Sequence, residues 1–401
     1  MTPTTPVERS RDAQPFVARP RALLAWFGGG LIGWALLIVG FVHDPAQTFN
    51  SYLSAYACAL SLAIGMQIFV MSVNAMDATW PVAIRRVAEA ATGTFPLLAL
   101  LFIPLFFGLR FLYPWMRPES ITDLHVRSLL LHKRAYFNWP FFIGRAIVYF
   151  LLFVGFDSLL RRWSFGMDRP GAPDRKGPAK VLSCVALPAV GLAATFAAFD
   201  WLMALSPDWY STMYGLYYLS GGFIGSMALL VVLVVFVQRR GFLAEVGTSH
   251  FYGLGRTLFA FLIFWAYIAF FQFLLIWIGN KPLEARWYVE RIHDGHRWVS
   301  QFLIWGHFAI PFLLLLSYWV KRRPGTLFVL SAWLLFAHYL DVHWLVAPAL
   351  GRPGAFAWQD LAAIFAVGGF TVGFGLWRQS GHLIAPIHDP QFEPALRYES
   401  K

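Results

Sequence analysis

Charged residues are scarce in this sequence. Asp, Glu, Lys and Arg together make up 13% of its 401 residues, whereas apolar residues make up 58% and aromatic residues 18%. A typical soluble domain carries about twice that share of charge. The composition therefore excludes an ordinary soluble domain and indicates a protein that lies in a membrane.

Cysteine is almost absent. The two cysteines, Cys58 and Cys184, both fall in long apolar runs, and the sequence contains no C-x-x-C or C-x-x-C-H motif. Iron–sulfur clusters and covalently attached haem need cysteines at such spacings. The sequence therefore excludes both groups as cofactors of this chain. Any redox centres that it works with are expected in partner subunits.

What the sequence does have is a series of apolar runs, each long enough to cross a membrane. A helix needs about 20 residues to span a hydrocarbon core of about 30 Å, and these runs are too long and too uniformly apolar for barrel strands. We predict an all-α integral membrane protein with ten transmembrane helices, at about 22–42, 52–75, 82–110, 137–160, 180–204, 213–238, 255–278, 298–320, 325–348 and 357–377.

Lys and Arg are distributed unevenly between the two sides of these spans. With the N-terminus inside, the inner segments hold 21 of the 32 basic residues and the outer segments hold 10, while Arg145 lies within a span. Because positive residues concentrate on the cytoplasmic side, we expect retained cytoplasmic tails at 1–21 and 379–401 and a membrane domain at 22–378. The net charge of +11 then indicates contact with anionic membrane lipids and not with nucleic acid.

The lengths of the outer loops repeat every four spans. Long outer loops occur at about 111–136 and 279–297, and the other outer loops are short. This pattern predicts two four-helix bundles, formed by spans two to five (52–204) and six to nine (213–348), with spans one and ten at the periphery. Glycines four residues apart, such as Gly29 and Gly33 or Gly221 and Gly225, predict close helix packing.

Ionisable and amide side chains within the spans form two sets at different depths. Such groups are too costly to face lipid, so we expect them to face the bundle interior or a polar cavity. Arg145, Asp200 and Asp341 either converge in one cavity or form two separate clusters. In the second case Asp341 meets His307 and His338. The outer set comprises Arg145, Asp200, Gln272, His307, His338 and Asp341, and the inner set comprises Gln67, Asn74, Asp77, Glu89 and Asp157.

The segment "LFAHYLDVHWLVAPA" places two histidines and an aspartate inside a predicted membrane span, where ionisable groups need a functional or structural reason. His338 and Asp341 are three residues apart and therefore share a helix face, whereas His343 points elsewhere. An imidazole beside a carboxylate can pass protons near neutral pH. Haem ligation by His307 and His338 is a competing use, which the difference in their depth disfavours.

Two other groups of residues keep alternatives open. Arg145 and Asp200, on adjacent spans, form either a structural pair or part of a site. Glu89 is the inner candidate for proton transfer, although Arg85 lies four residues before it and pairs with it in the simpler reading. Asp157 and Arg161 are also four residues apart, and the simpler interpretation of Asp157 is likewise an ion pair with this arginine.

Six segments together resemble a known family. In order they are "HKRAYFNWPFFIGRAIVYF" (132–150), "FAAFDWLMALSPDWYSTMYG" (196–215), "FWAYIAFFQFLLIWIGNKP" (264–282), "HRWVSQFLIWGHFAIPFLLLLS" (296–317), "DVHWLVAP" (341–348) and "PIHDP" (386–390). They are similar to the ActF family, a membrane component of alternative complex III, which is a bacterial quinol:cytochrome c oxidoreductase. The likeness covers residues 130 to 390 and extends to the NrfD-like, polysulfide-reductase membrane group.

The resemblance implies a fold, partners and a location. It implies two four-helix bundles in a multi-pass protein of the bacterial cytoplasmic membrane. The implied partners are a homologous sister membrane protein with the quinol site, iron–sulfur subunits and multihaem cytochromes of the c type. The family positions matched here are Arg145, Asp200, Asp208, Gln272, Asn280, His307 and Asp341.

The resulting functional hypothesis is a subunit of a quinol-oxidising complex that carries no redox centre and no metal of its own. The proton-transfer candidates are Glu89, Asp200, His307, His338 and Asp341, and the candidate quinone or polar-cavity contacts are Arg145 and Gln272. The competing hypothesis is a purely structural anchor for the catalytic sister subunits. A secondary transporter is disfavoured, because no span is broken by a Gly/Pro pair beside a binding residue.

Overall fold

The computed structural model describes residues 11–169, 171–293, 295–352 and 356–400. Over these residues the secondary structure is helical, without a strand, as expected. Ten helices in the described ranges are long and apolar enough to cross a membrane. They are α1 Pro20–His43, α2 Pro45–Ala75, α3 Val82–Leu112, α4 Trp139–Gly166, α5 Lys176–Leu205, α6 Tyr214–Gln238, α7 Thr248–Gly279, α8 His296–Leu316, α9 Pro324–Leu350 and α10 Trp358–Gln379.

Four of the ten helices are not continuous α-helices. One of them, α5, is α-helical over Lys176–Trp201 and ends in the 3₁₀ turn Met203–Leu205. α3 consists of Val82–Thr92 and Phe95–Leu112, and α9 ends in the 3₁₀ turn Ala347–Leu350. α8 is α-helical over His296–Phe302, π-helical over Leu303–Ala309 and α-helical again over Ile310–Leu316. The connecting segments contain the helices Leu124–His132, Pro282–Ile292 and Tyr318–Arg322, and the helix Phe392–Leu396 follows α10.

Proline and a capping side chain fix where several helices begin. α2 begins at Pro45, about seven residues before the predicted start, because the Asp44 carboxylate accepts a hydrogen bond from the backbone N–H of Gln47. Asn138 caps α4 in the same way through the N–H of Phe141, at 2.9 Å. Both caps satisfy backbone donors that the first helical turn leaves free.

Two helices form the centre of the molecule. The most apolar stretches of α2 and α6 are 72% and 78% buried, compared with 17% for α1 and 28% for α7. α2 packs against α3, α5, α6, α9 and α10, and α6 packs against α2, α5, α7 and α9. Small residues allow α2 and α6 to approach closely. If Gly222 of α6 had a Cβ atom, that atom would lie only 2.9 Å from Cβ of Ser61 of α2, which is too close for two carbon atoms.

α1 and α10 pack against each other through glycine. A Cβ on Gly33 would lie 2.7 Å from the carbonyl oxygen of Ala362, and one on Gly369 would lie 2.7 Å from that of Trp26. The prediction that Gly33 serves packing is therefore confirmed. The same prediction is wrong for Gly29, which faces open space, and Gly30 takes its place against α10.

The described ends of the chain meet at one end of the helix bundle. Phe16 exchanges backbone hydrogen bonds of 2.8 Å with Gly381 and His382, which follow α10. Asp12 accepts from the N–H of Leu243, at 2.7 Å, in the loop between α6 and α7. Burial raises the pKa of Asp12, although that hydrogen bond opposes the shift. Residues 1–10 of the predicted tail 1–21 lie outside the described residues.

Candidate functional site

Asp341 lies at the centre of a buried polar cluster between the central helices. Its side chain, on α9, is held by two donors from two other helices. The Tyr217 hydroxyl of α6 donates to Oδ1, and the indole Nε1 of Trp265 of α7 donates to Oδ2 at 3.2 Å. The residue is 2% exposed. Asp341 is therefore turned into the bundle and not towards lipid.

His338 lies one turn before Asp341 on the same helix and is equally buried. Its Nε2 atom is 2.7 Å from the Ser61 hydroxyl of α2. Its Nδ1 atom has no hydrogen-bond partner among the described residues. The imidazole is thus anchored at one nitrogen only, and the other is available for a further contact.

Two glycines of α6 make room for this pair. A Cβ on Gly221 would lie 2.7 Å from Oδ2 of Asp341, and one on Gly225 would lie 2.6 Å from Cδ2 of His338. The predicted shared face of His338 and Asp341 is confirmed, because both side chains lie over one face of α6. The four-residue glycine spacing serves packing as expected, and here it packs helix backbone against ionisable side chains.

His307 of α8 completes the cluster. Its ring lies on the Trp265 indole, with ring centroids 4.3 Å apart and an angle of 46° between the planes. The residue is fully buried, and neither ring nitrogen has a hydrogen-bond partner among the described residues. Asp341 and His307 thus contact the same Trp265 indole, but no hydrogen bond or ion pair among the described residues joins Asp341 to either histidine, so the prediction that it meets both is not confirmed.

His307 lies in the π-helical stretch of α8. Pro311 has no N–H with which to bond a carbonyl one turn back, and Gly306 in that turn instead accepts a hydrogen bond from Nε1 of Trp333, at 2.7 Å. A π-helical turn widens the helix and often occurs at functional sites. The stretch therefore determines how the His307 ring is presented to the cluster.

A line of polar groups leads from the cluster towards the end of the bundle opposite the chain ends. The half-buried Ser211 donates to Gln272 of α7 at 3.1 Å, and Gln272 donates to the Tyr288 hydroxyl at 3.1 Å. The Tyr288 and Tyr217 rings both lie beside Trp344, each with ring centroids 6.3 Å apart, and the Tyr217 hydroxyl donates to Asp341. Tyr288 lies in a connecting helix, where burial raises its pKa to about 12.

Arg291 lies beside this line and is fully buried. It donates to the carbonyl oxygens of Trp287, Trp344 and Leu345 at 2.7, 3.2 and 3.1 Å, and its guanidinium stacks 3.3 Å from the Trp287 ring centroid. The described carboxylates form no ion pair with it. Burial lowers its pKa to about 10, so it stays charged at neutral pH. A fixed positive charge therefore lies beside the polar line, at the end of the bundle opposite the chain ends.

Arg145 and Asp200 form a separate cluster between α4 and α5. Asp200 accepts from Arg145 at 2.6 and 3.1 Å and from the hydroxyls of Tyr136 and Tyr149, both at 2.8 Å. The third guanidinium nitrogen of Arg145 donates to the carbonyl of Tyr136 at 3.1 Å. This pair shares no described hydrogen-bond partner with Asp341, so the described contacts do not bring the three residues together in one cluster. The saturated contacts of the pair favour a structural role.

Glu89 lies in a dense ionic network at the end of α3 near the chain ends. Its carboxylate is 3.2 Å from Arg85, 3.5 Å from Arg86 and within 2.9 Å of the Ser164 hydroxyl of α4. The predicted pair with Arg85 is confirmed. A carboxylate fixed by two guanidinium groups is well suited to holding helices together, which favours the simpler reading of Glu89 over proton transfer.

The C-terminal segment is tied into the same network. Asp389 is 2.9 Å from Arg85 and 2.6 Å from Lys176 of α5. Burial disfavours the Asp389 carboxylate, but the two cations outweigh it and hold its pKa below the usual range. Asp157 of α4 is near Arg161 as predicted, and one of its oxygens has no described partner. The "PIHDP" motif thus joins α3 and α5.

Several residues of the Asp341 cluster were missed from the sequence, namely Ser61, Tyr217, Trp265, Tyr288 and Arg291. Tyrosine and tryptophan carry a polar atom that seeks a partner when buried, and this was the available signal. Among the described residues, no group of three or more His, Cys, Asp or Glu side chains is placed to hold a metal ion.

No known protein-family model matches this chain, and no curated protein matches it. Function is therefore inferred from the residues and their geometry.

Proposed function

We propose that this chain is a membrane subunit of a quinol:cytochrome c oxidoreductase of the alternative complex III type. Its role there is to move protons between the outer surface and the membrane interior through the Asp341 cluster. The observation that carries the proposal is the pair of buried imidazoles, His307 and His338, with unpartnered nitrogens near the buried Asp341 carboxylate. A line of hydrogen-bonded polar groups, Ser211, Gln272 and Tyr288, lies between this cluster and the surface.

The polar line consists of groups that can pass protons. Hydroxyls donate and accept at the same atom, and an amide does both at neighbouring atoms, so Ser211, Gln272 and Tyr288 can relay a proton through water or by direct contact. Tyr217 then delivers it to Asp341. In this proposal Gln272, which the sequence offered as a quinone or cavity contact, belongs to the proton path.

The ring nitrogens of His307 and His338 that have no hydrogen-bond partner lower the stability of the fold unless water or a transferred proton bonds to them. A buried polar group without a hydrogen bond costs about 1–3 kcal/mol, and His307 has two such atoms while His338 has one. Groups of this kind are typical of functional positions, where a water or a transferred proton completes the bonding. His338 and His307 are thus the inner end of the proposed outer half-channel.

The proposal gives different roles to the other candidates. Asp200 and Glu89 are held by guanidinium groups and hydroxyls, which favours structural roles for both. Arg145 directs its donors to Asp200 and Tyr136, which weighs against direct contact with a quinone. Quinol chemistry is accordingly assigned to the partner proteins of the complex.

The proposed architecture has two four-helix bundles with cytoplasmic chain ends. The pairs α2–α3 and α2–α5 have counterparts four helices further along, in α6–α7 and α6–α9, and exchanging the two halves turns α2–α9 into α6–α5, as a repeat requires. The bias of 21 basic residues against 10 supports the cytoplasmic location of both ends. The resemblance adds the bacterial cytoplasmic membrane, the homologous sister membrane protein, and the iron–sulfur and multihaem partners.

The test reconstitutes the complex in liposomes with quinol and cytochrome c and compares wild type with Asp341→Asn and His307→Gln. We expect electron transfer to continue while proton release into the outer compartment falls several-fold in both variants. Glu290→Gln, which alters an exposed acid on the nearby helix Pro282–Ile292, is the matched control and should leave the proton yield unchanged.

The second candidate, a structural anchor, is favoured by the saturated Arg145–Asp200 and Arg85–Glu89 clusters. The same experiment separates the two. Full proton yield in Asp341→Asn and His307→Gln, in a complex of normal composition, would leave the anchor as the function.

A further inference from the structure

A basic groove lies at the end of α4 near the chain ends. It is a cavity of about 610 Å³, open on one side, between the end of α4, the start of α5 and the segment after α10. Its lining includes no acidic residue. The basic and aromatic side chains that line the groove are Arg162, Arg169, Arg175, His382, Trp163 and Phe165.

The positive charge of the basic groove is not neutralised within the described chain. Arg162, Arg169 and Arg175 form no ion pair among the described residues. Two acids are adjacent to these arginines in sequence. Asp168 is turned away to Arg86, with oxygen–nitrogen distances of 2.8 and 3.0 Å, and Asp174 accepts a hydrogen bond from the backbone N–H of Lys176 at 2.9 Å. Three guanidinium groups around one cavity repel each other, and an anion between them would relieve that repulsion.

An exposed apolar surface continues from the basic groove along two helices. On α4, Val148, Leu151 and Arg162 lie on one face, so the arginine ends a lipid-facing stripe in which Leu151 is 67% exposed. On α5, Val181 and Val185 are four residues apart and are 67% and 62% exposed. The ligand that fits both surfaces has an anionic head and long apolar chains.

We propose that the basic groove binds the phosphate group of an anionic phospholipid, whose acyl chains lie along the apolar faces of α4 and α5. Guanidinium groups are suited to phosphate because their planar N–H donors bond it in pairs. Trp163 lies where aromatic side chains prefer to sit, at the level of the headgroups. This site is independent of the proton path, since it shares no residue with the Asp341 cluster.

The test measures lipid binding to the purified full chain in mild detergent. Palmitoyl-oleoyl phosphatidylglycerol is the anionic probe, the phosphatidylcholine with the same chains is the zwitterionic probe, and inorganic phosphate is the free anion. The groove variant is Arg162→Gln/Arg169→Gln/Arg175→Gln. The matched control, Arg21→Gln/Arg239→Gln/Arg323→Gln, removes three arginines that do not line the groove.

We expect native mass spectrometry to detect phosphatidylglycerol retained by wild type and by the matched control. The groove variant should bind it on the order of 100-fold more weakly, since each basic group contributes about a fivefold factor. An Arg→Lys variant at the same three positions keeps the charge but loses the paired donors, so it should bind more tightly than the groove variant and more weakly than wild type. A groove variant that folds and binds phosphatidylglycerol as wild type does would overturn the proposal. Equal stabilisation by phosphatidylcholine, or displacement of the lipid by millimolar phosphate, would also overturn it.

Discussion

Replacing Asp200 by Asn tests whether the Arg145–Asp200 cluster holds the fold together. The substitution keeps the side-chain volume but leaves the Arg145 guanidinium without its counter-charge, while the side chains of the pair are only 11% and 1% exposed. Breaking a buried ion pair by removing one partner costs about 3–5 kcal/mol. The hydroxyls of Tyr136 and Tyr149 also lose a charged acceptor, so we expect a loss of stability at the upper part of that range.

The measurement is reversible unfolding of the purified chain in mixed detergent micelles, followed by circular dichroism. The matched control is Arg286→Gln, which breaks the exposed pair with Glu290 at 3.1 Å. An exposed pair of this kind contributes about 0–1 kcal/mol, so the control should unfold nearly as wild type does. The double variant Arg145→Met/Asp200→Leu removes both charges and should recover most of the stability that Asp200→Asn loses.

Two results would refute this reasoning. One is an Asp200→Asn protein as stable as wild type. The other is a double variant no more stable than the single one, because a structural pair predicts that removing the second charge relieves the first. Either result would make Arg145 and Asp200 candidates for proton transfer or ligand contact again.

Two further predictions concern close packing and pH. Gly225→Ala should destabilise the protein by about 1–3 kcal/mol, because the new Cβ would lie 2.6 Å from the His338 ring. Gly155→Ala, which meets nothing within 4 Å, should be neutral or stabilising in the same unfolding assay. Asp389→Asn should lower stability at pH 7, because Arg85 lowers the pKa of Asp389 despite its burial. The difference from wild type should close as the pH falls below about 4, and a difference independent of pH would contradict this assignment.

The ten helices were predictable because a membrane imposes one strong condition on length and polarity. The predicted start of α2 was wrong because protein, and not lipid, surrounds the first turns of this helix. The start of α2 contains Gln47, Thr48, Asn50 and Ser51, which hydropathy reads as a loop. Three of these, Thr48, Asn50 and Ser51, are buried. Asn50 donates to the carbonyl oxygen of Val346 in α9, whereas Thr48 and Ser51 bond to Asp44 and Gln47 at the start of their own helix. Hydropathy cannot distinguish a buried polar helical turn from an exposed loop.

The candidate site was predictable only as far as local geometry reaches. Helical periodicity was enough to place His338 and Asp341 on one face. The partners of these residues come from distant positions, with Tyr217 and Asp341 separated by 124 residues and Ser61 and His338 by 277. A single sequence contains no information about which helices become neighbours.

Helix irregularity was a second obstacle. Span eight was predicted as one continuous helix to about residue 320, whereas α8 ends at Leu316 after its π-helical stretch. Pro311 was the only visible sign, and proline in a membrane helix is compatible with several outcomes. The orientation of His307 could therefore not be derived from its position in the sequence. For Glu89, likewise, the i,i+4 rule identified Arg85 but not Ser164 of another helix.

The packing of α1 against α10 has a consequence for the synthesis and membrane insertion of the protein. The two helices and the segments beside them join positions as far apart as Ala18 and Ser380, which are 362 residues apart. A ribosome adds about 5–20 residues per second, so roughly 20 to 70 s pass before α1 meets the helix that covers its glycines. Through that interval lipid or an insertion factor must shield this face. Closure of the first helix onto the last is thus a late event of biogenesis, and a chain stopped before α10 would leave α1 without its main neighbour.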